Sequence, residues 1–192
     1  TDGDETIDAL DPSDEDTDGD GLSDEDEVLI HGSDPDDRDT DDDGILDGDE
    51  VNGTGPLTSY GPTDPTLFDT DSDGLSDGLE AGLGAATDAD TDTNVFLADG
   101  DAGATTTDPT NDDTDNDTVL DGDEDADQDG VFDGDLPGTA NDESDPNDDD
   151  SDDDGLNDGA EYPRTNDTDG DETIDALDPS DEDTDGDGLS DE

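Results

Sequence analysis

The chain has 192 residues, of which 72 are acidic and two are arginine, with no lysine and a formal charge of −70. Repulsion on that scale opposes any compact state, and with 21% apolar and 3% aromatic residues burial cannot offset the entropy of ordering. The absence of cysteine excludes disulfides and no run approaches the roughly 18 apolar residues of a membrane span, which leaves bound cations as the source of order.

In chain order, the opening 25 residues, TDGDETIDALDPSDEDTDGDGLSDE, recur unchanged from Thr168 to Glu192. Residues 1–167 therefore read as one period and 168–192 as the start of the next, in a tandem array rather than a duplicated end. The array reading predicts DEVLIHGSDP after Glu192. Within the period, Asp-Pro returns at Asp11, Asp34, Asp64, Asp108, Asp145 and Asp178, and an acidic loop always begins five residues later. Each Asp-Pro reads as a stiff turn between units. Short helical turns are predicted after the loops, around Asp24 to Ile30, Asp47 to Val51 and Asp77 to Leu83, each too short to stand alone in water. Two stretches lack the loop pattern, Asn52 to Pro62 and Ala81 to Thr107. The second is long enough for a small hairpin or for a packing element between units.

Aligned on their first Asp, the loops share Asp at positions 1, 3, 5 and 9, Gly at 6, an aliphatic residue at 7 and an acid at 12. Four copies are complete: Asp16, Asp18, Asp20, Leu22, Asp24, Glu27; Asp39, Asp41, Asp43, Ile45, Asp47, Glu50; Asp69, Asp71, Asp73, Leu75, Asp77, Glu80; and Asp150, Asp152, Asp154, Leu156, Asp158, Glu161. A truncated copy holds Asp183, Asp185, Asp187, Leu189 and Asp191. Three depart from the pattern. Asp113, Asp115, Asp117, Val119, Asp121 and Glu124 carry Thr118 at position 6, whereas Asp125, Asp127, Asp129, Val131 and Asp133 reach Leu136 at position 12. Asp167, Asp169, Asp171, Asp175 and Asp178 carry Glu172 at position 6, and their earlier copy retains Asp2, Asp4, Asp8 and Asp11. A non-glycine residue at the sharp turn implies strain or another backbone path, and a weaker site.

A hard cation such as calcium takes six to eight oxygens, which a tight loop supplies from alternate short side chains, the position-7 carbonyl and a longer carboxylate at 12. In so Asp-rich a chain the four aspartates alone are weak evidence, but adding Gly at 6 and an apolar residue at 7 lowers the chance expectation to about 0.04 occurrences, against six in the sequence. Asp outnumbers Glu 60 to 12, and five of those 12 glutamates stand at position 12. Ligation explains that placement and salt adaptation does not.

The pattern DxDxDG-(Leu/Ile/Val)-x-D-x-x-(D/E), joined by Ser/Thr-Asp-Pro as in HGSDPDDRDTDDDG, resembles the thrombospondin type-3 calcium-binding repeat in its cysteine-free prokaryotic form. The aliphatic residue at position 7 fits that family, whereas EF-hand and dockerin loops place it at 8. The resemblance implies an extracellular, calcium-stapled linear repeat with little regular secondary structure, in which ions substitute for a core. It also implies ligands at positions 1, 3, 5 and 12 with the carbonyls of Leu22, Ile45, Leu75 and Leu156. Position 9 stays open between direct ligation, ligation through water and reach to a neighbouring ion.

The expected function is a calcium-dependent structural segment of a filament, stalk or adhesin spacer, with further copies of itself as partners. The alternatives are an adhesive module on a calcium-rigidified stalk and a largely disordered, calcium-sequestering matrix. One period carries 60 acids and two arginines, so about seven ions leave a large residual negative charge, met by more ions per unit or by a salty medium. Carboxylates are everywhere, without an apolar cleft to separate their pKa values, so no enzyme is expected. The field repels nucleic acid, and nothing here inserts in a membrane. His31 reads as filler, Arg38 and Arg164 as local charge partners, and Tyr60, Phe68, Phe96, Phe132 and Tyr162 as apolar staples between units. Asn52, Asn116 and Asn166 match the glycosylation pattern, with Asn52 expected to be the most accessible.

Overall fold

The computed structural model describes residues 15–134, 142–163, 167 and 173–179. Asp2, Asp4, Asp8, Asp11, Asp169, Asp171, Asp183, Asp185, Asp187, Leu189 and Asp191, with Leu136, Arg164 and Asn166, lie outside these residues. Regular structure is confined to single turns: α1 (Asp24–Asp26) running into a π turn (Glu27–His31), α2 (Asp47–Asn52), α3 (Asp77–Glu80), α4 (Asp121–Glu124) and α5 (Asp158–Glu161), with 3-10 turns at Gly55–Ser59 and Asp175–Leu177. No strand occurs among the described residues.

The helical turns begin at position 9 of each loop for a local reason. Position 8 is extended, with φ between −83° and −94° and ψ between 141° and 149°, and the position-9 amide reaches back to the carbonyl just before position 1. Those bonds run from Asp24 to Glu15, Asp47 to Arg38, Asp77 to Phe68, Asp121 to Asp112 and Asp158 to Asp149, at 2.8–3.3 Å. Each loop is thereby closed into a ring before its turn starts. The predicted turns near 24, 47 and 77 are all present, the third shorter than expected because Gly82, at φ +78°, carries the chain away after Glu80.

The segment 81–107 is a run of turns and bends, not a hairpin. Its aspartates bind backbone amides one or two residues ahead, as Asp88 does for Ala89 and Asp90, and Asp92 for Asn94, so the amides a strand would need are already used. Instead the segment packs back on the second loop. Phe96 covers Gly44 so closely that a Cβ there would lie 2.5 Å from the ring, the Thr91 hydroxyl donates to Asp39, and Arg38 pairs with Asp88 while donating to the Gly19 carbonyl. The expected staple and charge-partner roles of Phe96 and Arg38 hold. The segment 52–62 is anchored by Leu57, which is fully buried. Asn52 is exposed and donates to the Gly48 carbonyl, and Asn116 is exposed as well.

Apolar core is scarce. Among the described residues Ile45, Leu57 and Leu79 are the large apolar side chains with essentially no exposure, and they are outnumbered by Glu27, Glu50, Glu80, Glu124, Glu143, Asp39, Asp43, Asp47 and Asp77. Carboxylates fill the interior that aliphatic side chains fill elsewhere.

Candidate metal centres

Each regular loop is wound by its own carboxylates. The position-5 oxygen accepts the position-7 amide at 2.6–2.8 Å in Asp20, Asp43, Asp73, Asp117 and Asp154. Position 1 accepts the position-6 amide at 3.0–3.2 Å in Asp39, Asp69, Asp113 and Asp150. This winding requires left-handed backbone at positions 4 and 6. Gly21, Gly44, Gly74 and Gly155 supply position 6 at φ +99° to +114°, and Thr118 is held on the same path at +92°. The non-glycine loop thus takes the strained alternative, not a different route.

Position 9 has a defined task. Both of its oxygens grip position 2: the amides of Thr17, Thr40, Thr70, Thr114 and Ser151 donate to one oxygen and their hydroxyls to the other, at 2.6–3.0 Å. The same hydroxyl accepts the amide of the Asp-Pro aspartate, from Asp34, Asp64, Asp108 and Asp145, at 2.8–3.0 Å. The Asp-Pro turn, position 2 and position 9 form one relay that sets the five-residue spacing. A hydroxyl recurs at position 2, but only the folded loop shows which carboxylate holds it.

The residue before Asp-Pro is tied in as well. Thr63, Thr107 and Ser144 donate to one oxygen of Glu50, Glu80 and Glu124 at 2.8–2.9 Å, and Ser33 to Glu27 at 3.4 Å. The other oxygen of each of these four glutamates is buried without a hydrogen-bond donor, as are oxygens of Asp18, Asp41, Asp71, Asp115 and Asp152 at position 3 and of Asp39, Asp43 and Asp154. A buried carboxylate oxygen with no donor is costly unless a cation completes it. The orphans fall at positions 1, 3, 5 and 12, the set the resemblance implies. This donor chemistry, oxygen alone, fits a hard cation.

Ligand-capable oxygens converge within 4.8 Å in Asp16, Asp18 and Asp20, in Asp39, Asp41 and Asp43, and in Asp69, Asp71 and Asp73. Two further groups cross between loops: Asp43 and Glu50 with Asp77, and Asp73 and Glu80 with Asp121. Position 9 of one loop is therefore presented to positions 5 and 12 of the loop before it. Burial raises the carboxyl pKa of Glu80 to about 10, with Asp73 and Asp71 adding to it, and that of Glu124 to about 9. Glu50 is pushed far up by burial and by the charges of Asp43 and Asp41, and Asp41 rises to about 7, mainly by burial.

Consecutive loops meet through a residue that the sequence pattern had not included, the glycine at position 10. Gly48, Gly122 and Gly159 donate their amides to Asp20, Asp73 and Asp117, the position-5 residues of the preceding loops, at 2.5–3.0 Å. A Cβ on Gly48, Gly78, Gly122 or Gly159 would lie 2.0–2.6 Å from the carbonyl oxygen of that preceding position 5. The aliphatic residue at position 7 is covered where such a contact is made: Leu22, Ile45, Leu75 and Val119 are buried, but Leu156 is 45% exposed.

The remaining candidates are placed differently. The loop from Asp125 lacks the position-2 hydroxyl, and the carboxylate of Glu143 takes over, accepting from Ala126 and Asp133 at 3.0 Å. Glu143 was missed because it lies seven residues beyond Leu136, off the register. Asp127, Asp129 and Val131 are half-buried or exposed, and the amide of Val131 is held by Asp129. Asp167 is exposed, and Asp175 and Asp178 are buried around the 3-10 turn Asp175–Leu177. No helix among the described residues is long and apolar enough to cross a membrane.

The family described as the bacterial TSP3 repeat matches the chain at residues 16–37, 69–84 and 183–192. Two of these matches cover the first and third complete loops, and the last covers the truncated copy. No curated protein and no solved structure matches the chain.

Proposed function

We propose, from the bacterial TSP3 repeat matches at 16–37, 69–84 and 183–192, that the chain is a structural segment ordered by calcium within a longer extracellular protein such as a filament, stalk or adhesin spacer. The observation that carries this reading is the recurrence of buried, donorless oxygens at positions 3 and 12, with Asp43 and Asp154 at position 5 and Asp39 at position 1. Under it, Asp16, Asp18, Asp20 and Glu27 and their equivalents in the other loops hold one ion per loop, with the position-7 carbonyl. Position 5, position 12 and the next loop's position 9 form a second, inter-loop group. Calcium supplies the positive charge that lets these carboxylates stay ionised while buried. The protein's own residues do the rest: positions 2 and 9 close each loop, and position 10 docks it on its neighbour.

Since a preformed site is costly without the ion, binding energy becomes ordering energy. The test is calcium titration followed by chelation, read by X-ray scattering and calorimetry. Compaction at a defined stoichiometry, reversed by chelator, is expected; equal dimensions in both conditions sink the reading. Graded, unsaturable uptake would favour the disordered matrix instead.

A further inference from the structure

The loop from Asp150 ends the series of docked loops among the described residues. The unit that follows it carries Ala176 at position 10, where the other junctions leave no room for a Cβ. Its turn, Asp175–Leu177, still enters from an extended position 8, Ile174 at φ −79° and ψ 151°, as the regular turns do. Ile174, Asp175 and Ala176, each with 8% exposure or less, face Val119, Tyr162 and Pro163 across one small cavity that Asp123, Asp158 and Glu161 also line. Tyr162 is fixed over this cavity by its hydroxyl bond to Asp123 at 3.1 Å. The segment that closes one side of the cavity belongs to the repeated 25 residues, so Ile174–Leu177 is Ile7–Leu10 one period later.

We propose that this cavity is a receptor for the leading segment of a following copy of the chain, so that successive periods are joined by a packed head-to-tail contact as well as by the peptide bond. This rests on the reading of 168–192 as the start of a second copy. The partner is a second copy presenting Ile-Asp-Ala-Leu, whose alanine carries the Cβ that the position-10 glycines of the regular junctions have no room for. Each period would then end in a cavity filled only by its successor.

Hydrogen exchange on the full chain in saturating calcium tests it, because the two identical segments serve as each other's control. The amides of Leu177 and Asp178 donate to Ile174 and Asp175. Their exchange is expected to be at least ten-fold slower than that of Leu10 and Asp11, with fragments starting at or before Asn166 marking the second copy and fragments starting at Thr1 the first. Equal rates overturn the proposal. The variant Ile174→Asp/Ala176→Asp vacates the cavity. At millimolar chain it is expected to self-associate in sedimentation and to transfer protection to Leu10, and adding Ile7→Asp/Ala9→Asp is expected to abolish both. A calcium-loaded variant that stays monomeric overturns it. Calcium stoichiometry, measured alongside, separates this failure from failure of the calcium reading itself.

Discussion

At the residue scale, Thr118 isolates one contribution cleanly. It sits at φ +92°, exposed, with its amide bonded to Asp113 like that of the glycines it replaces. A β-branched residue there costs on the order of 1–3 kcal/mol that glycine avoids. Thr118→Gly should therefore raise the stability of the calcium-loaded chain by about 1 kcal/mol and tighten binding at that loop, measured by thermal unfolding and calorimetry. Lower stability would mean that the hydroxyl, which lies near Gly159, matters more than the strain. Thr40→Val tests the relay instead. The loss of a hydroxyl that donates to Asp47 and accepts from Asp34 should destabilise by about 1–3 kcal/mol. The convergence of positions 1, 3 and 5 was legible from the sequence because it is local, whereas the meeting of positions 5 and 12 with the next loop's position 9 was not. The Ser/Thr before Asp-Pro was legible as part of the pattern, but its partner and the role of the hydroxyl at position 2 were not, since threonine and serine are common here and only the folded loop shows which carboxylate each one holds.

At the scale of the element, the helical turn after each loop works as a plug whose tip must be bare. Gly78→Ala would put a methyl 2.0 Å from the Asp43 carbonyl, a backbone atom that cannot swing aside. The expected result is a loss of about 1–3 kcal/mol and weaker calcium binding at the Asp43, Glu50 and Asp77 group, with the other loops unaffected. An unchanged calcium isotherm would show that the loops do not rely on this contact. The turns themselves were predictable, because position 9 starts them and sequence shows where position 9 is. Their partners were not: Gly48 meets Asp20 across 28 residues, Gly159 meets Asp117 across 42 and Gly122 meets Asp73 across 49, separations that no local pattern contains. For the same reason the segment 81–107 could not be assigned. Its apolar run, NVFLA, is too short to declare a partner, and its aspartates favour local turns over a strand.

At the scale of the whole molecule, the metal-free arrangement should prefer acid. Glu80 and Glu124, raised from the usual carboxylate range to about 10 and 9 in this fold, bind protons more tightly folded than unfolded. Their contribution to metal-free stability is complete below about pH 4.5 and is lost as pH rises through the raised values. Acid also relieves the self-repulsion of a chain with a formal charge of −70. Chelated protein is therefore expected to be more compact at pH 4 than at pH 7 by small-angle scattering, while calcium affinity falls in the same direction because protons compete for the same oxygens. Equal dimensions at both pH values would contradict this account of the buried glutamates.

Successive regular loops begin at 16, 39, 69, 113 and 150, so the chain between them varies widely in length, yet the glycine-to-aspartate contact recurs at each junction. Loop-to-loop geometry is thus uncoupled from the length of the connecting chain. Chain spliced into an exposed point of a connector, such as 58–59, would ride on the scaffold without changing how the loops meet.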